Sequence, residues 1–196
     1  MNTDQLNDFI NEKLKSKLSE HLTYHGLHHT LDVLKVCREY IERMQLSEQD
    51  SYLLETAALF HDTGFLFTYE DHETESIRYA REILPNWGYS LKQIDAICGM
   101  IAATRIPQNP VTILEKVLAD ADLDYLGTDD FYRISETLYH ELVAYKRIKN
   151  RDDWDNLQIR FLQKHHYHTD FAKKYRESVK QKHLKLLLKD LDSRIV

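Results

Sequence analysis

Apolar residues recur at helical spacing along almost the whole chain, and this period is the strongest constraint on its fold. Leu6, Phe9, Ile10 and Leu14 fall on one helix face near the start, and similar stripes return in the later segments. Five glycines and three prolines in 196 residues are too few for the tight turns of a β-sandwich or barrel. The pattern therefore predicts an all-α protein, a single compact bundle of many helices.

Two serines mark expected helix starts. Ser47-Glu48-Gln49-Asp50 and Ser90-Leu91-Lys92-Gln93 both have capping-box spacing. A further helix is predicted from Asp71 to Leu84, ending at Pro85, after an aromatic stretch at residues 65–69 that has no clear period and reads as a loop.

Beyond Gly127 the periodicity predicts three more helices, the last running from Phe171 on to Leu191. Lys180 and the later lysines of this helix are interspersed with leucines and are predicted to form its solvated face, whereas His165 is predicted to be a core histidine. We find no internal repeat, low-complexity segment or linker, so residues 1–196 are expected to form one domain.

Charge and composition exclude several functional classes. A net charge of −6 argues against non-specific binding to nucleic acid or to an anionic membrane, and no apolar run reaches membrane-spanning length. Cys37 and Cys98 offer neither a disulfide framework nor a cysteine zinc motif. The polar start of the sequence does not resemble a signal peptide, so a cytoplasmic protein is expected.

The adjacent pair His61-Asp62 ends an apolar helical run, just before Thr63-Gly64. An imidazole nitrogen and a carboxylate oxygen at one point suit a divalent cation better than a hydrophobic core. Two ligands do not complete a site, but His25 and His29 are four residues apart and would share a helix face. Either could supply a further nitrogen.

Acidic residues also gather where a later helix is expected to end, at Asp120-Ala121-Asp122-Leu123-Asp124. Negative charges at the C-terminal end of a helix oppose its macrodipole, so stability alone would not place them there. Asp122 or Asp120 could therefore provide the remaining oxygen ligand.

The order His…His-Asp…Asp on three separate helices resembles the HD-domain superfamily of metal-dependent phosphohydrolases. The resemblance rests on residues 24–33, 59–64 and 118–123 and covers about residues 20–126. Residues 128–196 would then be a C-terminal helical extension. The resemblance implies a helical bundle that binds a metal and hydrolyses phosphate esters.

The resemblance also implies the ligands of one divalent metal ion, with Mn, Mg, Co, Ni, Fe and Zn not distinguished. His29 corresponds to the first ligand, His61 and Asp62 to the central pair, and Asp122 to the last. Asp122 is preferred to Asp120 because it stands in the expected Ala-Asp-Leu context. Asp120 is then expected to orient a ligand imidazole as a hydrogen-bond acceptor.

Two catalytic roles and two substrate contacts follow from the same resemblance. Asp62 is expected to hydrogen-bond the metal-activated water, and His25 to protonate the leaving oxygen, as in cyclic-nucleotide phosphodiesterases of the superfamily. His72, ten residues after Asp62, and Arg105 are expected to contact the substrate phosphate. Relatives with two metals use a histidine in the region of His72, but the helix after Ser90 lacks the further histidines of such sites.

The expected function is hydrolysis of a small phosphate ester, with a small molecule as partner and no nucleic acid or membrane. The chain lacks the Gly-Tyr-Pro element of the cyclic-di-GMP-hydrolysing branch. Nucleotides such as nucleoside monophosphates, or a related metabolite, are the default substrate. One alternative is a non-catalytic, metal- or nucleotide-binding regulatory module. A di-iron oxygenase is a more distant one, because Thr104 stands where a fuller histidine set would be needed.

Overall fold

Helices account for all regular structure in residues 3–195, the part of the chain that the computed structural model describes. Within that range there are ten α-helices and three short 3-10 helices, and no strand. The predicted all-α fold class is therefore confirmed. None of the helices in the described range is both long and apolar enough to cross a membrane.

The chain divides into two compact units, Met1–Asp122 and Leu123–Val196. That the whole chain forms one domain stays a prediction. The first unit contains α1 Thr3–Lys17, α2 Leu27–Met44, α3 Glu48–Phe60, α4 His72–Ile83, α5 Leu91–Thr104 and α6 Ile113–Asp122. The second contains α7 Phe131–Ala144, α8 Arg151–Lys164, α9 Asp170–Tyr175 and α10 Glu177–Ile195.

Both serine-led helix starts are confirmed. The amide of Asp50 donates to Ser47 Oγ at 3.1 Å at the start of α3. At the start of α5, Gln93 N donates to Ser90 Oγ at 3.4 Å and Ser90 N donates to Gln93 Oε1 at 2.9 Å, which completes a capping box. Each cap contributes about 1 kcal/mol of helix stability.

The core of the first unit is built around α5 and α2. Helix α5 packs against α3, α4 and α6, and α2 packs against α3 and α6. The side chains between them are apolar and fully or almost fully buried, including Leu54, Ala57, Ile97, Ile101 and Leu118. This packing brings the first turn of α2 and the C-terminal ends of α3 and α6 together.

Gly64 allows α4 to begin directly beside the end of α3. A Cβ atom at Gly64 would lie 1.8 Å from the carbonyl oxygen of His72, and Gly64 N donates to Ser76 Oγ at 2.7 Å. Gly64 belongs to a 3-10 helix, Thr63–Leu66, whose last two residues fall in the stretch 65–69 that was predicted to be a loop. Any side chain at residue 64 would therefore displace the start of α4.

The second unit has its own core, in which Phe131, Leu162 and Leu184 are buried. The prediction of three helices here is wrong, because the last one is divided into α9 and α10 at Arg176. Arg176 Nε lies 2.7 Å from Asp124 Oδ1, and a Cβ atom at Gly127 would lie 2.6 Å from the carbonyl oxygen of Arg176. These tertiary contacts, which hydrophobic periodicity does not report, hold Arg176 where the helix divides.

The expectation that Lys180 lies on a solvated face is also wrong, since its side chain is fully buried. Lys180 Nζ donates to the carbonyl oxygen of His165 at 2.5 Å and lies 3.0 Å from Glu177 Oε2. His165 is buried as predicted, with Nδ1 3.2 Å from Lys180 Nζ. A buried ammonium group requires such partners, whereas Lys182, two residues later, is exposed.

Replacing Gly64 by alanine should destabilise the protein by about 1–3 kcal/mol, because the added methyl group meets backbone rather than a movable side chain. Gly99→Ala in α5 is the matched control: its Cβ atom would meet only the carboxylate of Glu115, at 3.3 Å. Alanine also favours a helix interior by up to about 1 kcal/mol. Urea unfolding followed by circular dichroism measures both variants, and a Gly64→Ala protein as stable as Gly99→Ala would contradict the expectation.

Candidate metal and phosphate site

Three helix ends supply the polar centre of the first unit. His29 lies in the first turn of α2, His61 directly follows α3, and Asp122 is the last residue of α6. Asp62 follows His61 and precedes the 3-10 helix that contains Gly64. The candidate metal ligands, which are 93 residues apart at the extremes, therefore meet because of how α2, α3 and α6 pack.

The three side chains of His29, His61 and Asp122 converge closely. His29 Nε2 lies 3.0 Å from Asp122 Oδ1 and 3.4 Å from His61 Nε2, and His61 Nε2 lies 3.6 Å from Asp122 Oδ1. Each offers one ligand atom, and all three atoms lie within 4.8 Å of one another. Two imidazole nitrogens and a carboxylate oxygen form a donor set that first-row divalent metals accept.

Asp62 adjoins this group with a buried oxygen that makes no hydrogen bond. Its Oδ2 lies 3.3 Å from His61 Nε2 and 3.4 Å from His29 Nε2, yet it has no hydrogen-bond partner in the described structure. A buried carboxylate oxygen without a hydrogen bond lowers the stability of the folded protein. A cation at the centre of the group would satisfy it, so the residues present fit a metal.

The orientation of His61 is set by its own helix. Its Nδ1 donates to the carbonyl oxygen of Ala58 at 2.8 Å, which directs Nε2 towards His29 and Asp122. An acceptor behind the second ring nitrogen is the usual way in which proteins orient a ligand histidine. For His61 this acceptor is a backbone carbonyl, and the orienting role of Asp120, which is fully buried in α6, stays a prediction.

Without a cation, the buried charges shift the pKa values of the histidine and the aspartates in opposite directions. Burial alone would lower the pKa of His61, but the charges of Asp62 and Asp122 raise it well above its ordinary value. Burial would likewise raise the pKa of Asp62, yet His61 holds it well below the usual range. Burial would also raise the pKa of Asp122, but the hydrogen bond from His29 and the charge of the nearby His61 lower it to about 2.

Phe65 provides an aromatic surface for two further histidines. The ring of His25 stacks on it at a centroid distance of 4.3 Å and that of His72 at 4.0 Å. His25 also lies 5.8 Å from His29, ring centroid to ring centroid. The predicted proton donor and the predicted phosphate contact therefore both border the candidate metal ligands.

His72 faces the side of Asp62 that points away from the other histidines. His72 Nε2 lies 3.5 Å from Asp62 Oδ1 and 3.7 Å from Glu73 Oε1. Burial is the largest effect on His72 and lowers its pKa despite these acids. His72 is therefore predominantly neutral at physiological pH in the absence of ligands.

Arg105 reaches the same place from the C-terminal end of α5. Its Nη2 donates to Thr74 Oγ1 at 2.6 Å, and its Nε lies 3.8 Å from Glu73 Oε2. Glu73 was missed by the sequence interpretation, although an acidic residue directly after a candidate site histidine was a usable signal. Of the residues proposed from the sequence, the four histidines and Asp122 thus lie around Asp62, and Arg105 is joined to this group through Glu73. Asp120 is buried in α6.

The sequence model of the HD domain family matches residues 26–124, just over half of the chain. The chain belongs to the HD domain family. The HD match includes His29, His61, Asp62 and Asp122, whereas His25 lies immediately before its first residue. No curated protein sequence matches the chain.

Two crystal structures resemble this HD protein over almost its full length. One is of a predicted HD superfamily hydrolase from an uncultured Thermotogales bacterium, with a TM-score of 0.62 and 20% identity over 97% of this chain and 92% of that one. The other is of the Lin1889 protein from Listeria innocua, with a TM-score of 0.62 and 23% identity over 98% of each chain. At such identities the likeness shows a shared fold, which includes the helices that follow the HD match.

A divalent cation should stabilise this HD protein, by about 2.7 kcal/mol at a concentration 100 times its Kd. Because His61 holds a proton in the metal-free state, binding should release protons and tighten as the pH is raised. Calorimetric titration with Mn²⁺ or Ni²⁺ at several pH values measures both effects.

The control for this expectation compares two aspartates. Asp122→Asn should weaken cation binding by at least about tenfold, since it removes a charged ligand oxygen, whereas Asp8→Asn on the exposed surface of α1 should leave it unchanged. Equal cation binding by the two variants would show that the histidine and aspartate group is not the site.

Proposed function

We propose that the protein is a metal-dependent phosphohydrolase that acts on a small phosphate ester. The observation that carries the proposal is the buried Asp62 Oδ2, which lacks a hydrogen-bond partner beside His29 and His61. Membership of the HD family and the fold shared with a predicted HD superfamily hydrolase support it.

In this proposal His29, His61, Asp62 and Asp122 hold one divalent cation. The mixed set of nitrogens and oxygens does not single out one of Mn, Fe, Co, Ni, Zn and Mg, so the cation must be identified by measurement. When bound, such an ion lowers the pKa of water and offsets negative charge on phosphoryl oxygens.

Residues of the chain are proposed to orient the attacking water, protonate the leaving oxygen and bind the phosphate. In the proposal, Asp62 would bind the cation through Oδ2, which faces His29 and His61. Its Oδ1, on the side of His72, would accept a hydrogen bond from the attacking water. His25 lies beside His29 and is half-buried, which suits a group that protonates the leaving oxygen. His72 and Arg105 are the proposed phosphate contacts, and Arg105 is 48% exposed.

The substrate proposed is a free small molecule, with nucleoside monophosphates as the first class to test. A net charge of −6 disfavours polyanionic polymers and anionic membranes. Both cysteines are buried and free, which fits the reducing cytoplasm proposed as the protein's location.

Hydrolysis of p-nitrophenyl phosphate and of nucleoside monophosphates, each with Mn, Mg, Co, Ni, Fe or Zn added, tests the proposal. His61→Ala should abolish turnover, because it removes a ligand from the centre of the site. His21→Ala, at an exposed histidine before α2, is the control and should match the wild-type rate. Equal rates for His61→Ala and wild type would overturn the enzyme proposal in favour of a regulatory module.

The role of His25 has a test of its own. Loss of a general acid should lower kcat by about 10²–10⁴-fold when the leaving group is an alkoxide. A p-nitrophenolate ion leaves without a proton, so His25→Gln should lower kcat for p-nitrophenyl phosphate much less than for a nucleoside monophosphate. His28→Gln, at an exposed neighbour, is the control. An equal fall for both substrates would contradict proton donation by His25.

A further inference from the structure

Glu73 is a buried acidic residue beside His72 and Arg105, the two residues that are proposed to bind the phosphate group of the substrate. It lies in the first turn of α4 and is 9% exposed. A carboxylate near a phosphate site repels the substrate, and the repulsion is strong where water is largely excluded. The N-terminal end of a helix favours an acidic residue, but this preference is satisfied equally well by Glu75 in the same turn.

The contacts of Glu73 offer another reason for its position. Its two oxygens face the two proposed phosphate contacts separately: Oε1 lies 3.7 Å from His72 Nε2, and Oε2 lies 3.8 Å from Arg105 Nε. The neighbouring Asp62 faces His72 from the other side, at 3.5 Å. His72 therefore lies between two carboxylates, and Arg105 is joined to the same group through Glu73.

Arg105 is held with only part of its guanidinium engaged. One edge is fixed by consecutive residues of α4, with Thr74 Oγ1 accepting from Nη2 at 2.6 Å and Glu73 facing Nε. The side chain nevertheless remains 48% exposed. A guanidinium that is fixed on one edge and open on another loses less side-chain entropy when it binds a phosphate.

We propose that Glu73 is a positioning residue that holds Arg105, and with it His72, in the orientation that binds the substrate phosphoryl group. The inference rests on the proposed function and deepens it. Glu73 does not touch the substrate, and its benefit through Arg105 exceeds the repulsion that its own charge exerts on the phosphate.

This proposal and simple electrostatics predict opposite effects for one variant. Glu73→Gln keeps the shape of the side chain and removes its charge. If the charge of Glu73 only opposes the substrate, the variant should bind phosphate more tightly than the wild type. If Glu73 positions Arg105, the variant should bind phosphate more weakly, by about two- to fivefold, the range that a partly exposed ion pair contributes.

Calorimetric titration of inorganic phosphate into the metal-loaded protein, together with KM and kcat for p-nitrophenyl phosphate, measures the effect. Glu73→Gln should weaken phosphate binding and raise KM by the same factor, while kcat changes less than about twofold, because only binding is affected. The double variant with Arg105→Gln should bind phosphate no more weakly than Arg105→Gln alone, because the loss caused by removing Glu73 acts through Arg105 and only its repulsion of the phosphate is left to be relieved. Thr74→Val, which removes the other anchor of Arg105 from an exposed position, should also weaken binding.

Glu75→Gln is the matched control, because it removes the same charge from the same helical turn but from a residue paired with Arg78 at 2.7 Å. It should leave phosphate binding unchanged. Tighter or equal phosphate binding by Glu73→Gln, or additive losses in the double variant, would overturn the role of Glu73 while wild-type turnover stands. A wild-type protein that neither binds phosphate nor hydrolyses any ester would instead overturn the proposed function itself.

Discussion

Compensation of buried charge at one point is the constraint on which the first unit depends. The carboxylates of Asp62 and Asp122 are largely removed from water and lie against the imidazoles of His29 and His61. Charges buried in this way are tolerated only with opposite charges or a cation beside them. The start of α2 and the ends of α3 and α6 must therefore meet, and the apolar packing of these helices around α5 is what allows them to do so.

Acidic residues at the end of α6 show that this constraint takes precedence over local preference. A carboxylate at a helix C-terminus is unfavourable, yet Asp120 and Asp122 are both buried or nearly so there. Residues 63–76 extend the same arrangement, because the contact of Gly64 with His72 fixes the start of α4 beside Asp62. Gly64, two residues after Asp62, thus helps to place the side chain of His72.

Much of the helical fold and of the candidate metal site could be predicted from the sequence, because both depend on short local patterns. Helix boundaries at Ser47 and Ser90 depend on neighbouring residues, and hydrophobic periodicity reports which face of each helix is buried. The metal group could be proposed because each ligand lies in a short recognisable segment. The contact of Arg105 with Thr74 joins residues that are 31 positions apart, and no local pattern predicts it.

The second unit also has features that hydrophobic periodicity does not predict. The apolar stripe continues through Arg176, and the helix nevertheless divides there because Asp124 and Gly127 contact that residue. Lys180 looked solvated because lysines usually are, and its burial depends on partners in residues 165–177. Periodicity describes a helix by itself, whereas these features depend on what packs against it.

The hydrogen bond from His61 to the carbonyl oxygen of Ala58 has an evolutionary consequence. Because the acceptor belongs to the backbone, no side-chain replacement at residue 58 removes the acceptor group itself. Where a carboxylate side chain orients a ligand histidine, a single codon change in the carboxylate residue can abolish that orientation. Here the orientation of His61 is inherited with the end of the helix itself, so homologous chains can diverge widely around the site while this imidazole keeps its direction.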